Sequence, residues 1–266
     1  MRLALAQTEP LWEDKEGNFR AALKFLEQAR EKGADLILFP EMSMTGFSMH
    51  PEKIGETKEN PVTLDFFREK AGEYGLYIGI GYVEYCEPKS YNCYAIISPE
   101  GEILADYRKI HPFTFGTEAV HYAGGEKLAF CRVREFTVSP LICYDLRFPE
   151  LFEIASERAE LILVPANWPS DRREHFMTLL RARAIEDQCY IAGVNRVGHA
   201  RTLSYTGDSM IVDPFGRVLA RAGEGEELIV AELELEPLKK YRKEFPARTD
   251  RKPELYEKLR PQLFLV

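Results

Sequence analysis

The sequence predicts an α/β protein, a four-layer α-β-β-α sandwich made of two similar halves. Three observations predict it. Strand-like and helix-like segments alternate along all 266 residues, with no Gly-, Ser- or Pro-rich linker between the halves. The composition is that of a packed globule, 45% hydrophobic and 29% charged, with enough apolar side chain for a sizeable core. Finally, three segments of the first half recur, in order, in the second. Ala-Asp-Leu-Ile-Leu-Phe-Pro from residue 34 resembles Ala-Glu-Leu-Ile-Leu-Val-Pro from 159, and Tyr77-Ile78 resembles Tyr190-Ile191. Ser-Pro-Glu-Gly-Glu-Ile-Leu-Ala from 98 resembles Asp-Pro-Phe-Gly-Arg-Val-Leu-Ala from 213. A duplicated unit of this kind packs its two sheets face to face and keeps its helices on the outer faces.

The elements follow in chain order. Residues 3–7 read as a buried strand. Residues 18–32 carry apolar side chains at Phe19, Ala22, Leu23, Leu26 and Ala29, the stripe of an amphipathic helix, and Gly33 ends it. Residues 36–39 form a short buried strand stopped by Pro40, and 64–74 a second helix. Strands are expected at 77–83, 91–98 and 103–109, with Pro99-Glu100-Gly101 as a hairpin turn between the last two. The second half opens with strands near 127–131 and 136–142. Helix 149–158, strand 161–164, helix 173–187 and strand 190–195 come next, and a hairpin centres on residues 213–216. One domain, 1–256, is expected, followed by a C-terminal tail, 257–266. The charged stretch 239–259 packs either on a partner subunit or on its own chain.

Charge and cysteine usage exclude several roles. Thirty-five Lys and Arg stand against 43 Asp and Glu, a net charge of −8. No basic block stands out, which argues against nucleic acid or an anionic membrane as a partner. The longest apolar runs, such as 36–39, are far too short to cross a bilayer, and the N-terminal run lacks the features of a signal peptide. The five cysteines, at 86, 93, 131, 143 and 189, are irregularly spaced with no C-x-x-C. That pattern fits neither a disulfide framework nor a structural zinc site, and a reduced, cytoplasmic protein is expected.

Places where the halves differ point to chemistry. Glu41 follows Pro40 just past a buried strand, and Ala166-Asn167-Trp168 follow Pro165 at the matching place. The C-terminal edge of strands is where open α/β sheets put their sites. Position alone leaves Glu41 open as an N-cap or a base. Cys143 ends the apolar run Ser-Pro-Leu-Ile-Cys and precedes Tyr144-Asp145-Leu146-Arg147 and a helix opened by Pro149. A helix N-terminus near such an elbow favours thiolate, and the turn's N–H groups suit an oxyanion. The other four cysteines read as small buried hydrophobes. Lys109 closes a strand in Tyr-Arg-Lys-Ile-His-Pro; by itself that cluster is an ordinary solvated strand end. A Cys–His–Asp arrangement using His111, His121 or His175 with Asp145 is a rival at this point.

Together these residues carry a resemblance. Phe39-Pro40-Glu41-Met42 with Thr45-Gly46-Phe47, then Tyr107-Arg108-Lys109-Ile110-His111, then Leu141-Ile142-Cys143-Tyr144-Asp145-Leu146-Arg147-Phe148-Pro149-Glu150-Leu151 resemble the three motifs of the nitrilase superfamily of carbon–nitrogen hydrolases. They stand in the family's order, and the resemblance runs from about Met1 to Tyr256. It implies the α-β-β-α sandwich that the duplication suggests. It also implies a Glu–Lys–Cys site, with Glu41 as general base, Lys109 as cation and Cys143 as nucleophile. Glu118 lies where members of the family often carry a further glutamate. Intact Glu41, Lys109 and Cys143 argue against a non-catalytic scaffold member of the fold.

The chemistry suits those roles. A neutral thiol is a poor nucleophile, and a carboxylate beside it takes its proton as sulfur attacks. The same carboxyl passes that proton to departing ammonia and later activates water against the thioester. Two carboxylates near one thiol raise a pKa, and Lys109 offsets their repulsion. Lys109 and the Tyr144 N–H are placed to hold the oxyanion. No metal or organic cofactor is needed. The segments around Asn167-Trp168-Pro169, Arg181-Ala182-Arg183 and Asn195-Arg196-Val197-Gly198 resemble the omega-amidase branch, which hydrolyses the terminal amide of short dicarboxylic monoamides such as 2-oxoglutaramate. The stretch Arg251-Lys-Pro-Glu-Leu-Tyr also resembles the deaminated-glutathione amidases, and N-carbamoyl hydrolysis is a more distant alternative. Asn167 and Trp168 are pocket candidates. Arg172 is the expected carboxylate reader, because a net negative protein needs a local cation there and a guanidinium fork matches a carboxylate; a surface pair with Asp171 or Glu174 is the alternative. The resemblance further implies a homodimer or larger assembly.

Overall fold

A computed structural model describes residues 1–200 and 202–259. Its strands are β1 (Arg2–Gln7), β2 (Leu36–Leu38), β3 (Tyr77–Glu84), β4 (Tyr91–Ile97), β5 (Ile103–Arg108), β6 (Cys131–Val133), β7 (Phe136–Pro140), β8 (Leu161–Ala166), β9 (Tyr190–Asn195), β10 (Val197–Ala200), β11 (Leu203–Thr206), β12 (Met210–Val212), β13 (Val218–Arg221) and β14 (Glu227–Glu232). Its helices are α1 (Lys15–Glu31), α2 (Pro51–Ile54), α3 (Val62–Tyr74), α4 (Glu118–His121), α5 (Pro149–Ser156), α6 (Arg173–Asp187), α7 (Leu235–Glu244) and α8 (Pro253–Leu259).

Two six-stranded sheets have the orders β14-β1-β2-β3-β4-β5 and β6-β7-β8-β9-β12-β13. Read across, each strand of one has a counterpart in the other. The outermost pair is antiparallel in both (β14·β1 and β6·β7), the next two pairs are parallel, and the last two are antiparallel. Even the irregularity before the final turn recurs, at Ile96/Ile97 and Ile211/Val212. The three sequence matches fall on β2 and β8, on β3 and β9, and on the closing hairpins. The duplication expected from sequence is therefore present in the topology.

Alternation along β1 shows how the layers form. Leu3 and Leu5 join a core with Val138, Leu161 and Leu163 of the other sheet, while Ala4 and Ala6 pack with Ala22, Phe25 and Leu26 of α1. A strand with both faces covered by apolar layers is buried throughout, as β2 and β8 are. On the far side Phe152 of α5 and Phe176 and Leu180 of α6 close the second sheet. The layers are thus α1/α3, sheet, sheet, α5/α6.

Several expected elements shift. The strand expected at 127–131 is Cys131–Val133 instead, because the preceding residues carry the chain from β5 to the second sheet, with Gly125 N–H donating to Lys109 O (2.8 Å). α1 starts earlier than expected, since the Asp14 side chain accepts from Gly17 N–H and caps it. The strand expected at 136–142 ends at Pro140, where the chain turns into the Cys143 elbow. Within the stretch 239–259, Arg242 donates to Gln188 O and Ala159 O, Arg248 to Ser156 O, and Arg251 pairs with Asp187, whereas residues 252–259 are exposed. α8 runs through residue 256, and 260–266 of the expected tail lie outside the described residues.

Candidate active site

The site is assembled from the chain just beyond the C-terminal ends of strands in both sheets. β2 runs into Phe39-Pro40-Glu41, where Phe39 N–H still donates to Gly79 O (2.9 Å). The chain then turns sharply through Met42, held at φ +45°. Neighbouring β3 supplies glycine at position 81, where a Cβ would lie 2.5 Å from Met42 N and 2.9 Å from Pro40 O. Only a glycine lets the elbow sit that close. The second-half counterpart, β8, runs into Asn167, whose backbone N–H donates to Glu41 Oε2 (2.9 Å). Its Nδ2 donates to Glu41 O (2.7 Å) and Oε2 (3.1 Å). The two matching elbows therefore clasp each other across the pseudo-twofold axis.

Beyond β5, Lys109 is fixed by its N–H donating to Asn92 O (2.8 Å). Its Nζ donates to Glu41 Oε1 (2.8 Å) and to Glu118 Oε1 and Oε2 (3.1 and 2.9 Å). Asn92 Nδ2 bridges the same two carboxylates, at 2.7 Å from Glu41 and 2.9 Å from Glu118. Phe113 N–H adds a bond to Glu118 Oε2 (2.7 Å). Glu41, Lys109 and Glu118 are each at most 1% exposed.

Cys143 stands at a second strained elbow, φ +47°, opening a short 3₁₀ helix, Cys143–Arg147. A non-glycine residue in that region is held there by its surroundings. Here the holder is Asp145, whose carboxylate accepts from Ile142 N–H, His111 N–H, His111 Nδ1 and the Tyr107 hydroxyl (2.8–3.0 Å). Cys143 lines a narrow pocket of about 70 Å³. Six of the eight expected site residues line it: Lys109, Cys143, Tyr144, Asn167, Trp168 and Arg172. Glu41 and Glu118 sit behind, against Lys109.

A carbon–nitrogen hydrolase model matches residues 2–243. The chain belongs to the carbon–nitrogen hydrolase family. It is 36% identical over 254 residues to an omega-amidase YafV from Yersinia enterocolitica, covering 94% of this chain and 96% of that one. To a 2-oxoglutaramate amidase from Bacillus subtilis it is 32% identical over 241 residues, covering 90% and 93%. Among solved structures, the hydrolase-superfamily protein XC1258 from Xanthomonas campestris, with an arsenic adduct in its active site, is 33% identical with a TM-score of 0.88, covering 95% and 97%.

In this carbon–nitrogen hydrolase the electrostatics sort the site's groups. Burial pushes the Glu41 carboxyl up, but the Lys109 charge and hydrogen bonds from Lys109, Asn167 and Asn92 outweigh it and hold it below the usual carboxylate range. At Glu118 burial prevails over Lys109, with the negative charge of Glu41 adding to it, and the carboxyl is pushed up. Lys109, buried between two carboxylates, is held well above the ordinary lysine value. Burial, then Glu41, pushes the Cys143 thiol well above its ordinary value despite Lys109. The helix N-terminus is expected to favour thiolate; here desolvation and the buried Glu41 carboxylate act the other way and outweigh five residues of 3₁₀ helix.

The rival histidine reading finds its His–Asp pair but no Cys–His contact. His111 bonds to Asp145 and stacks on Phe148 at 3.7 Å, His175 bonds to Arg147, and among the described residues no hydrogen bond joins His111, His121 or His175 to Cys143. The charges acting on the Cys143 thiol are Glu41, Lys109 and Glu118. Trp168 both packs and lines the pocket, with its ring on Phe176, its Nε1 donating to Arg172 O (2.8 Å), and Arg147 lying over it at 4.8 Å. Arg172 lies 5.9 Å from the Phe113 ring and pairs with no carboxylate among the described residues, whereas Arg173 is taken up by Asp208 and Glu224. Sequence reasoning missed Asn92, Phe113 and Tyr205. For Asn92 a signal existed, a lone amide inside the apolar run Tyr-Asn-Cys-Tyr-Ala-Ile-Ile. Phe47 and Arg147 lay inside quoted motifs without a role, and both line the pocket.

Proposed function

We propose that this protein is an omega-amidase-like enzyme that removes the terminal amide of a small carboxylate-bearing substrate, such as 2-oxoglutaramate, through a thioester on Cys143. Cys143 Sγ attacks the amide carbon; a C–S bond forms, the carbonyl electron pair moves onto oxygen, and the thiol proton passes to Glu41. Lys109 Nζ and the Tyr144 N–H, which bonds to no described residue, receive the oxyanion. Collapse breaks the C–N bond, and Glu41 returns the proton to the leaving nitrogen, which departs as ammonia. Water then attacks the thioester while Glu41 takes its proton; the C–S bond breaks and sulfur recovers a proton. Because the thiol's pKa is raised and Glu41's is lowered, proton transfer is uphill at rest and proceeds with C–S bond formation. Glu118 positions Lys109.

The observation that carries the reading is the buried Glu41–Lys109–Glu118 cluster behind a narrow pocket that holds both Cys143 and Arg172, an arginine with no carboxylate partner among the described residues. A linear substrate with an amide at one end and a carboxylate at the other meets both. The relatives' names, an omega-amidase and a 2-oxoglutaramate amidase, agree with it. Ammonia release from 2-oxoglutaramate, succinamate, glutaramate, deaminated glutathione, a simple nitrile and a carbamoyl amino acid tests it. The short dicarboxylic monoamides are expected to lead in kcat/KM; a lead by the nitrile or the carbamoyl compound overturns the reading.

A further inference from the structure

Six tyrosines are buried: Tyr82, Tyr94, Tyr107, Tyr122, Tyr190 and Tyr205. The hydroxyls of the first five have partners, respectively Asp106, Phe39 O, Asp145, Ser48 O and Glu234 O. A buried phenol ordinarily finds such a partner. Tyr205 is 5% exposed, but its hydroxyl has no protein partner among the described residues and is not sealed from solvent. It is also the one of the six that lines the active-site pocket.

Its ring is held in place from behind. The Arg196 guanidinium lies 4.5 Å from the ring centroid and is 1% exposed. Arg196 is fixed in turn by donating to Val197 O (3.0 Å) and His199 O (3.3 Å). The hairpin β10–β11 that carries Tyr205 is tied to the body by Val197 N–H on Thr8 O (3.0 Å) and by the Ser204–Ser170 hydroxyl pair (2.5 Å). Cys143, Glu41 and Arg172 all lie close enough to act electrostatically on the phenol. It therefore stands within range of both the nucleophile and the expected carboxylate reader. Burial foremost, against the opposing Arg196 charge, pushes its pKa up to about 12, so it remains a donor at neutral pH.

We propose that Tyr205 is a substrate-binding residue whose hydroxyl donates to the substrate's distal carboxylate alongside Arg172. The proposal rests on the omega-amidase reading. A preformed donor without a protein partner trades water for the carboxylate when one enters, and loses water for nothing when an apolar tail enters, so it favours carboxylate-bearing amides over uncharged ones.

Tyr205→Phe removes the hydroxyl and keeps the ring on Arg196. The measured quantity is the ratio of kcat/KM for glutaramate to that for pentanamide, an uncharged amide of equal chain length. Wild type is expected to show a ratio far above one, and Tyr205→Phe to lower it about tenfold, the scale of a hydrogen bond to a charged group. In a Cys143→Ala background, which binds without turnover, the same change is expected to raise the Kd for glutaramate about tenfold. A wild-type ratio near one overturns the omega-amidase reading and this proposal together. A high wild-type ratio left unchanged in Tyr205→Phe, equal losses on both substrates, or an unchanged Kd overturns the role of Tyr205 alone.

Discussion

Replacing Glu118 by glutamine separates positioning of Lys109 from proton transfer at Glu41. Every partner of the Glu118 carboxylate is a donor: Lys109 Nζ and Asn92 Nδ2 at Oε1, Lys109 Nζ and the Phe113 N–H at Oε2. Glutamine offers one acceptor oxygen and one NH₂. Whichever way it is turned, the NH₂ faces two donors, and Lys109 loses an anchor while keeping Glu41 at 2.8 Å. Losing one hydrogen bond to a charged group costs about 1.5–3 kcal/mol, so kcat on 2-oxoglutaramate is expected to fall roughly ten- to hundredfold. Stability should change less than in the removal of a lone counter-ion, because Lys109 retains one carboxylate. The pH profile gives a second reading. The raised pKa of Glu118 means that, as pH falls, Glu118 takes up a proton before Glu41 does. Protonated Glu118 resembles glutamine, so the wild-type acid limb reflects its loss, and in Glu118→Gln that limb should move to lower pH. Steady-state kinetics from pH 4 to 9 with thermal melts decide it. Wild-type kcat with an unmoved acid limb would refute the reasoning.

Three further outcomes are expected. Arg172→Ala should weaken kcat/KM for a carboxylate-bearing amide by ~1.5–3 kcal/mol while an uncharged amide of equal length loses little; equal losses would mean that the arginine only supports its loop. Gly81→Ala places a methyl against Met42 N and Pro40 O, so melting should report about 1–3 kcal/mol of lost stability together with a larger loss of turnover as Glu41 is displaced; an unperturbed enzyme would contradict the close approach. Because the Cys143 thiol is raised well above its ordinary value, its alkylation by iodoacetamide, followed by mass spectrometry, should still be climbing about tenfold per pH unit between pH 7 and 9; a plateau below pH 8 would reveal a resting thiolate.

Much of this was legible in the chain because local rules coincide with the global arrangement. The runs around residues 36–39 and 161–164 are apolar on both faces, as strands buried between two layers must be, and their likeness betrayed the duplication. Glu41, Lys109 and Cys143 stand where strands end, which periodicity and proline mark. What stayed hidden depends on distance along the chain. β14 pairs with β1, so Glu227 meets Gln7, and no local pattern encodes that pairing. Asn92 sits mid-strand, where an amide reads as an interruption; only the fold brings it against two carboxylates from other elements. Tyr205 lies on a short hairpin with no apolar periodicity, and its unpartnered hydroxyl is visible only once every other buried phenol is seen to be satisfied. The net push on the Cys143 thiol was hidden too, because a sequence reveals a nearby helix N-terminus that favours thiolate but not the buried carboxylate and desolvation that oppose it.

The central claim is that an acyl group of the substrate is carried on Cys143. Wild-type enzyme quenched in acid during turnover of 2-oxoglutaramate, then digested and analysed by mass spectrometry, tests it directly. The account predicts a peptide containing Cys143 that is heavier by the substrate less ammonia, absent from Cys143→Ala, which should be inactive yet folded. An adduct on Cys86, Cys93, Cys131 or Cys189, or full turnover by Cys143→Ala, would contradict it.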